Sequence, residues 1–130
     1  MDSTNEFSFI LKPAKHGVGV FAVHDIKEGM YLRLFRDEGL PYNIAIDRNI
    51  KDVPKLFHSH CVSRGEVLKC PSDFGRMEIG WYLNHSETPN AYHIDYIYRA
   101  KRDIKSGEEI TIDYNSLEEP EEVKEDYYKK

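Results

Sequence analysis

Asn84-His85-Ser86-Glu87-Thr88-Pro89-Asn90-Ala91 places amides, an imidazole and hydroxyls around a proline, directly after the apolar step Trp81-Tyr82-Leu83. Asn, Ser, Thr and Pro at this density make turn chemistry. The run is too polar for a buried strand, and its apolar lead is too compact for an exposed linker. Downstream, Gly107-Glu108-Glu109-Ile110-Thr111-Ile112-Asp113-Tyr114 reads as a tight glycine turn, a short β-branched strand and a tyrosine at the strand's end. A side chain at a strand end reaches a cleft while its backbone stays fixed. Taken singly, Asn84 is a turn former, His85 a satisfied core histidine, Tyr114 a structural strand-end aromatic and Trp81, the only tryptophan, a core residue. Their joint order is what gives them a functional reading, as groups lining one pocket.

Two other constellations offer chemistry of a different kind. Gly17-Val18-Gly19 is a flexible turn whose glycines allow unusual backbone angles or close approach. It lacks the third glycine and the following helix that a dinucleotide site requires. His58-Ser59-His60-Cys61 with Cys70 adds up to four nitrogen and sulfur ligands, enough for tetrahedral zinc and for an adaptor stabilised by it. No Cys-x-x-Cys knuckle is present, however, and the adjacent His60 and Cys61 are awkwardly placed for one ion. The expectation is therefore no metal, with surface histidines beside a small buried thiol.

The elements that must position these groups are short strands. Phe7 to Leu11 reads as a first strand stopped by Pro13, and Val20 to Val23 as a second. Ala22-Val23-His24-Asp25-Ile26-Lys27-Glu28-Gly29 is echoed by Ala100-Lys101-Arg102-Asp103-Ile104-Lys105-Ser106-Gly107. Each copy leaves a strand, turns on an Asp-led segment closed by glycine and enters another strand, Met30 to Phe35 or Glu109 to Ile112. Two copies make no solenoid, so the reading is turn geometry used twice. Between Arg36 and Arg76, Asn43 to Ile50 reads as strand or irregular chain. Val53 to Val62 holds a helical turn or two with Leu56 and Phe57 facing in, and Glu66 to Cys70 is a strand. Asn90 to Asp95 and Tyr96 to Ala100 form an antiparallel pair. Pattern alone gives a β-rich chain, α+β at most.

Composition sets the outer bounds. At 130 residues one domain is expected, residues 1–117, followed by an acidic tail over 118–130. No apolar run approaches the roughly 18 residues of a membrane span, and the polar start Met1 to Glu6 is no signal peptide. Cys61 and Cys70 are expected as reduced thiols in a soluble intracellular protein. A formal charge of −5 argues against direct nucleic-acid binding and is compatible with a basic protein or peptide partner.

Asn-His-Ser-x-x-Pro-Asn-Ala followed by Gly-Glu-Glu-Ile-Thr-x-Asp-Tyr resembles the paired signature of the SET-domain protein lysine methyltransferases, and Gly17-Val18-Gly19-Val20-Phe21-Ala22 is similar to that family's first motif. The resemblance runs from about Phe9 to about Asn115. It implies a mainly β, SET-like β-clip fold of several small curved sheets, with the C-terminal segment passing beneath a loop in a knot-like arrangement. It further implies S-adenosylmethionine as cofactor, held near His16, Gly17 and Val18, by the amide of Asn84 and by the backbone and ring of His85. Tyr114 is then the catalytic tyrosine, while Trp81 and Tyr82 shape the substrate channel. The implied reaction is methyl transfer to a lysine of a protein or peptide, histones being the family's familiar substrate. Very short members can complete their sites by dimerising, so a homodimer is a possible partner state. The alternative is an inactive SET-like interaction module.

The sequence departs from the family pattern in three places. Trp81 stands at the first position of the usual Arg-Phe-x-Asn-His, where a basic residue commonly contacts the cofactor. No tyrosine lies between Asn43 and Trp81 to act as a second channel tyrosine, a role open to Tyr42 or Tyr82. After Tyr114 no cysteine-rich segment follows. An acidic tail does, whose plain reading is a solvated segment and whose sharper reading has Tyr127 or Tyr128 closing the channel.

Overall fold

Nine short strands and four 3-10 helices of three to six residues, with no longer helix, are found in the described part of the chain. The computed structural model describes residues 3–5, 7–15, 17–35, 45–71, 74, 77–94 and 97–117. His16, Tyr42, Tyr127, Tyr128 and the whole tail 118–130 lie outside the described residues. Strands β1 (Phe9–Ala14), β2 (Gly17–Ala22), β9 (Glu109–Ile112) and β6 (Asn84–His85) form one sheet in the order β1-β2-β9-β6. Strands β3 (Ala45–Asn49), β5 (Val67–Pro71) and β4 (Val62–Arg64) form a second, in the order β3-β5-β4. Strands β7 (Ala91–Ile94) and β8 (Ile97–Ala100) form an antiparallel pair, as expected. The mainly β class and the several small sheets read from sequence are what the structure shows.

The echo between residues 22–29 and 100–107 is more than a turn used twice. The two copies pair with each other. Ile26 and Ile104 exchange both backbone hydrogen bonds, at 2.8 and 2.7 Å. The Gly29 amide donates to the Ala100 carbonyl at 2.8 Å and the Gly107 amide to the Ala22 carbonyl at 2.8 Å. Asp103 accepts the Glu28 amide at 2.8 Å, and Asp25 accepts the Ser106 amide at 2.9 Å. Each of these bonds has its counterpart in the other copy, which is a local two-fold relation. Both copies close on a glycine with positive φ, 85° at Gly29 and 91° at Gly107, where a β-carbon would be strained. The pairing buries Val20, Ala22, Ile26, Leu32 and Leu34 together with Tyr98, Ala100, Ile104, Ile110 and Ile112 in one core. The functional strand β9 thus grows out of the most completely buried part of the molecule, which fixes its far end.

Several sequence expectations are corrected. β1 continues through Pro13, which pairs with Val18. It is an edge strand, where a missing N–H breaks no ladder bond. Gly17-Val18-Gly19 lies inside β2 rather than in a turn. The expected strand from Met30 to Phe35 makes only isolated bridges, at Tyr31 to Ser3 and to Arg99. Leu56 is 74% exposed rather than facing in, whereas Phe57 stacks on Phe74 at 4.4 Å. Its 3-10 helix, Lys55–His60, has three residues per turn, so neighbouring side chains diverge.

That helix caps a second small core of Val53, Cys61, Leu68 and Cys70. Burial first, then the neighbouring Cys70 thiol, pushes the Cys61 thiol up to about 12 from its ordinary 9. An unfolded thiol ionises near pH 9 while the folded one holds its proton to about 12, so this group's contribution to stability is complete below 9 and is lost as pH rises between the two values. Urea midpoints measured at about pH 8 and about pH 10.5 should fall less for Cys61→Ala than for the parent chain. Equal falls would show that Cys61 does not carry this dependence.

Candidate functional site

The polar residues 84–90 are placed by β9. Asn84 and His85 are not turn residues: they form β6 and pair in parallel with Thr111 and Ile112. The turn begins at Ser86, whose hydroxyl accepts the Thr88 amide at 3.0 Å. Beyond it, Asn90 is 2% exposed and replaces a strand neighbour for β9. Its Nδ2 donates to the Glu109 carbonyl at 2.7 Å, and its Oδ1 accepts the Thr111 amide at 2.9 Å. A side-chain amide has one donor face and one acceptor face, as a peptide does, so it completes the edge of the sheet.

Tyr114 is held at the end of β9 by both sides of Asn84. Its hydroxyl donates to the Leu83 carbonyl at 2.7 Å, and its amide donates to His85 Nδ1 at 3.0 Å. The His85 and Tyr114 rings are 5.4 Å apart at 49°. Because Nδ1 accepts, the hydrogen-bond pattern assigns the neutral tautomer with its proton on Nε2. The Asp113 carboxylate lies 3.6 Å from the same nitrogen and also accepts the Asn115 backbone amide at 2.9 Å and its side-chain amide at 3.0 Å.

Asn84 is buried and tied to β2. Its Nδ2 donates to the Val18 carbonyl at 3.1 Å and to Glu109 Oε2 at 2.8 Å. Of the sequence-singled residues, the structure therefore brings together Val18, Asn84, His85 and Tyr114, with Gly17 at the start of the same strand. Trp81 and Tyr82 make contacts of their own. The Trp81 ring meets Phe35 edge-on at 5.7 Å and its Nε1 donates to Glu78 at 3.3 Å. Tyr82 packs on His60 at 4.9 Å and its hydroxyl reaches the Met77 sulfur at 3.8 Å. Among the described residues no three His, Cys, Asp or Glu side chains gather to hold a metal. His58 is engaged by the Val53 carbonyl at 2.8 Å, away from the Cys61 thiol, which instead donates to the Phe57 carbonyl at 3.3 Å. Glu109 and Asn90 are the site residues that sequence reading passed over.

The chemical character of the site follows from where its hydrogens go. Asn84 spends both amide hydrogens and Tyr114 its hydroxyl hydrogen on protein oxygens. Those hydrogens are committed, and the carboxylates of Glu109 and Asp113 lie beside the same groups. Such a site favours a cation or polarised C–H groups over an anion.

Small sheets that hold a buried Asn-His pair against a strand-end tyrosine define a β protein with its candidate site at strand termini. The sequence model of the SET domain matches residues 17–115, and the chain belongs to the SET-domain family, whose members are in general methyltransferases that use S-adenosylmethionine. The crystal structure of a Plasmodium falciparum protein named as a "putative histone methyltransferase" shares the fold, with a TM-score of 0.50 and 20% sequence identity over 81% of this chain and 90% of that one. Among the described residues, no helix is long and apolar enough to cross a membrane.

Proposed function

We propose that the protein transfers a methyl group from S-adenosylmethionine to a lysine side chain of a basic protein or peptide. One observation carries the reading: Asn84 and Tyr114, one peptide apart through Leu83, both have their hydrogens drawn onto protein oxygens, beside the Glu109 carboxylate. In this reading Asn84, His85, Gly17 and Val18 hold the cofactor, which supplies a methyl group on a positively charged sulfur. The acceptors suit that charge, and a preorganised phenol oxygen beside the Leu83 carbonyl suits the polarised methyl C–H groups. Transfer is an in-line displacement: the carbon–sulfur bond breaks as the carbon–nitrogen bond forms, the electron pair stays on sulfur, and the new ammonium releases its proton. No covalent protein intermediate is required, so the protein's part is alignment and electrostatics. The net charge of −5 supports a basic partner.

A second reading, a SET-like interaction module without transfer, is favoured by the orientation of Tyr82. Its hydroxyl reaches the Met77 sulfur and its ring packs on His60, contacts that need no substrate. Transfer of labelled methyl groups to histones and to unrelated basic peptides separates the two. Label on lysine supports the enzyme. Cofactor and peptide binding with no label would overturn it in favour of the module.

A further inference from the structure

Gly19 has a neighbour that accounts for it without any ligand. A β-carbon at that position would run into the Glu109 carboxylate, and would lie 3.0 Å from both Asn84 Nδ2 and the Ala14 β-carbon. Glu109 stands opposite Phe21 in the β2–β9 register, and Gly19 precedes Phe21 by two residues, hence on the same face of the sheet. The missing side chain is therefore the space in which the Glu109 carboxylate reaches Asn84.

That contact settles which way the Asn84 amide faces. Nδ2 lies between two acceptors, the Val18 carbonyl at 3.1 Å and Glu109 Oε2 at 2.8 Å. Turning the amide over would set Oδ1 against both oxygens and lose both bonds, one of them charge-assisted. No hydrogen bond from a described residue reaches Oδ1. With the Val18 carbonyl alone, one acceptor would remain to choose the orientation; the carboxylate adds the second and stronger constraint.

We propose that Glu109 is a positioning residue, which uses the room left by Gly19 to lock the Asn84 amide with its oxygen available to an ammonium donor. This rests on the reading of the site as one for S-adenosylmethionine, whose amino-acid end carries such an ammonium group. Glu109→Gln is nearly isosteric, but an amide at that place can present N–H as well as oxygen, so the acceptor-only constraint and the charge are both removed.

The test is calorimetric titration of the parent chain and of Glu109→Gln with S-adenosylmethionine and with an analogue lacking its α-amino group. We expect the variant to bind S-adenosylmethionine about 10-fold more weakly, the loss of one charge-assisted hydrogen bond's orientation, and to bind the deaminated analogue as the parent does. Nuclear magnetic resonance of the ligand-free protein supplies an independent readout: the two Asn84 side-chain amide protons should shift in the variant. Equal weakening for both ligands would show a merely structural role and overturn the proposal, as would unchanged affinity for both. Failure of the parent chain to bind either ligand would instead sink the cofactor reading itself, and unshifted Asn84 protons would still overturn the lock. Should Glu109→Gln not fold, Glu109→Asp retains the charge, withdraws the oxygen by one methylene and is expected to show the same selectivity.

Discussion

Tyr114→Phe should lower methyl-transfer turnover about 100-fold or more while leaving cofactor affinity and fold nearly unchanged. The hydroxyl donates to the Leu83 carbonyl at 2.7 Å, a bond worth roughly 1 kcal/mol of stability. The Tyr114 amide bond to His85 Nδ1 and the contact between the two rings do not depend on the hydroxyl. What the substitution removes is a fixed oxygen dipole at the place where charge changes during transfer, and the loss of one such preorganised group costs about 10²- to 10³-fold. The change should appear in kcat with KM nearly constant, the pattern for an interaction made in the transition state. A variant with parental kcat would remove Tyr114 from the catalytic role.

The largest effect on stability is expected at Asn90 rather than at any apolar core residue of the cleft. Asn90→Ala strands the Glu109 carbonyl and the Thr111 amide, two backbone groups of β9. A buried group left without its partner costs about 1–3 kcal/mol, so the pair sums to about 2–6 kcal/mol. Against a total of about 5–15 kcal/mol for an ordinary domain, this lowers the melting temperature by roughly 10 °C or more. Asn90→Asp keeps the Thr111 bond but turns a carboxylate toward the Glu109 carbonyl, and should be no milder. A urea titration showing less than about 0.5 kcal/mol for Asn90→Ala, the range of a plain surface substitution, would show that β9 is held by other means.

These two residues mark what could and could not be read from the chain. Tyr114 was legible because its meaning lies in local order: a glycine turn, a β-branched strand and an aromatic at its end. Asn90 looked like one more turn residue, since its side chain bonds to backbone on a strand that the sequence meets only later. Asn84 and His85 were read as turn for the same reason, because a two-residue strand has no period to detect and its parallel partner is remote. The glycines at 17 and 19 were assigned to a turn because nothing local reveals that β1 runs on through Pro13. The echo between 22–29 and 100–107 was visible, but its consequence, that the copies bind each other, depends on pairing across most of the chain. Leu56 and Phe57 differ only in which way a 3-10 turn happens to face, which composition does not record.

The cofactor pocket is the central claim, and calorimetric titration of the purified protein with S-adenosylmethionine tests it most directly, with Asn84→Ala as the control. Micromolar binding is expected, weakened at least 10-fold in the variant, because the buried amide that bridges Val18 and Glu109 is gone. Absence of binding to the parent chain, with a basic peptide present as well as without it, would contradict the account.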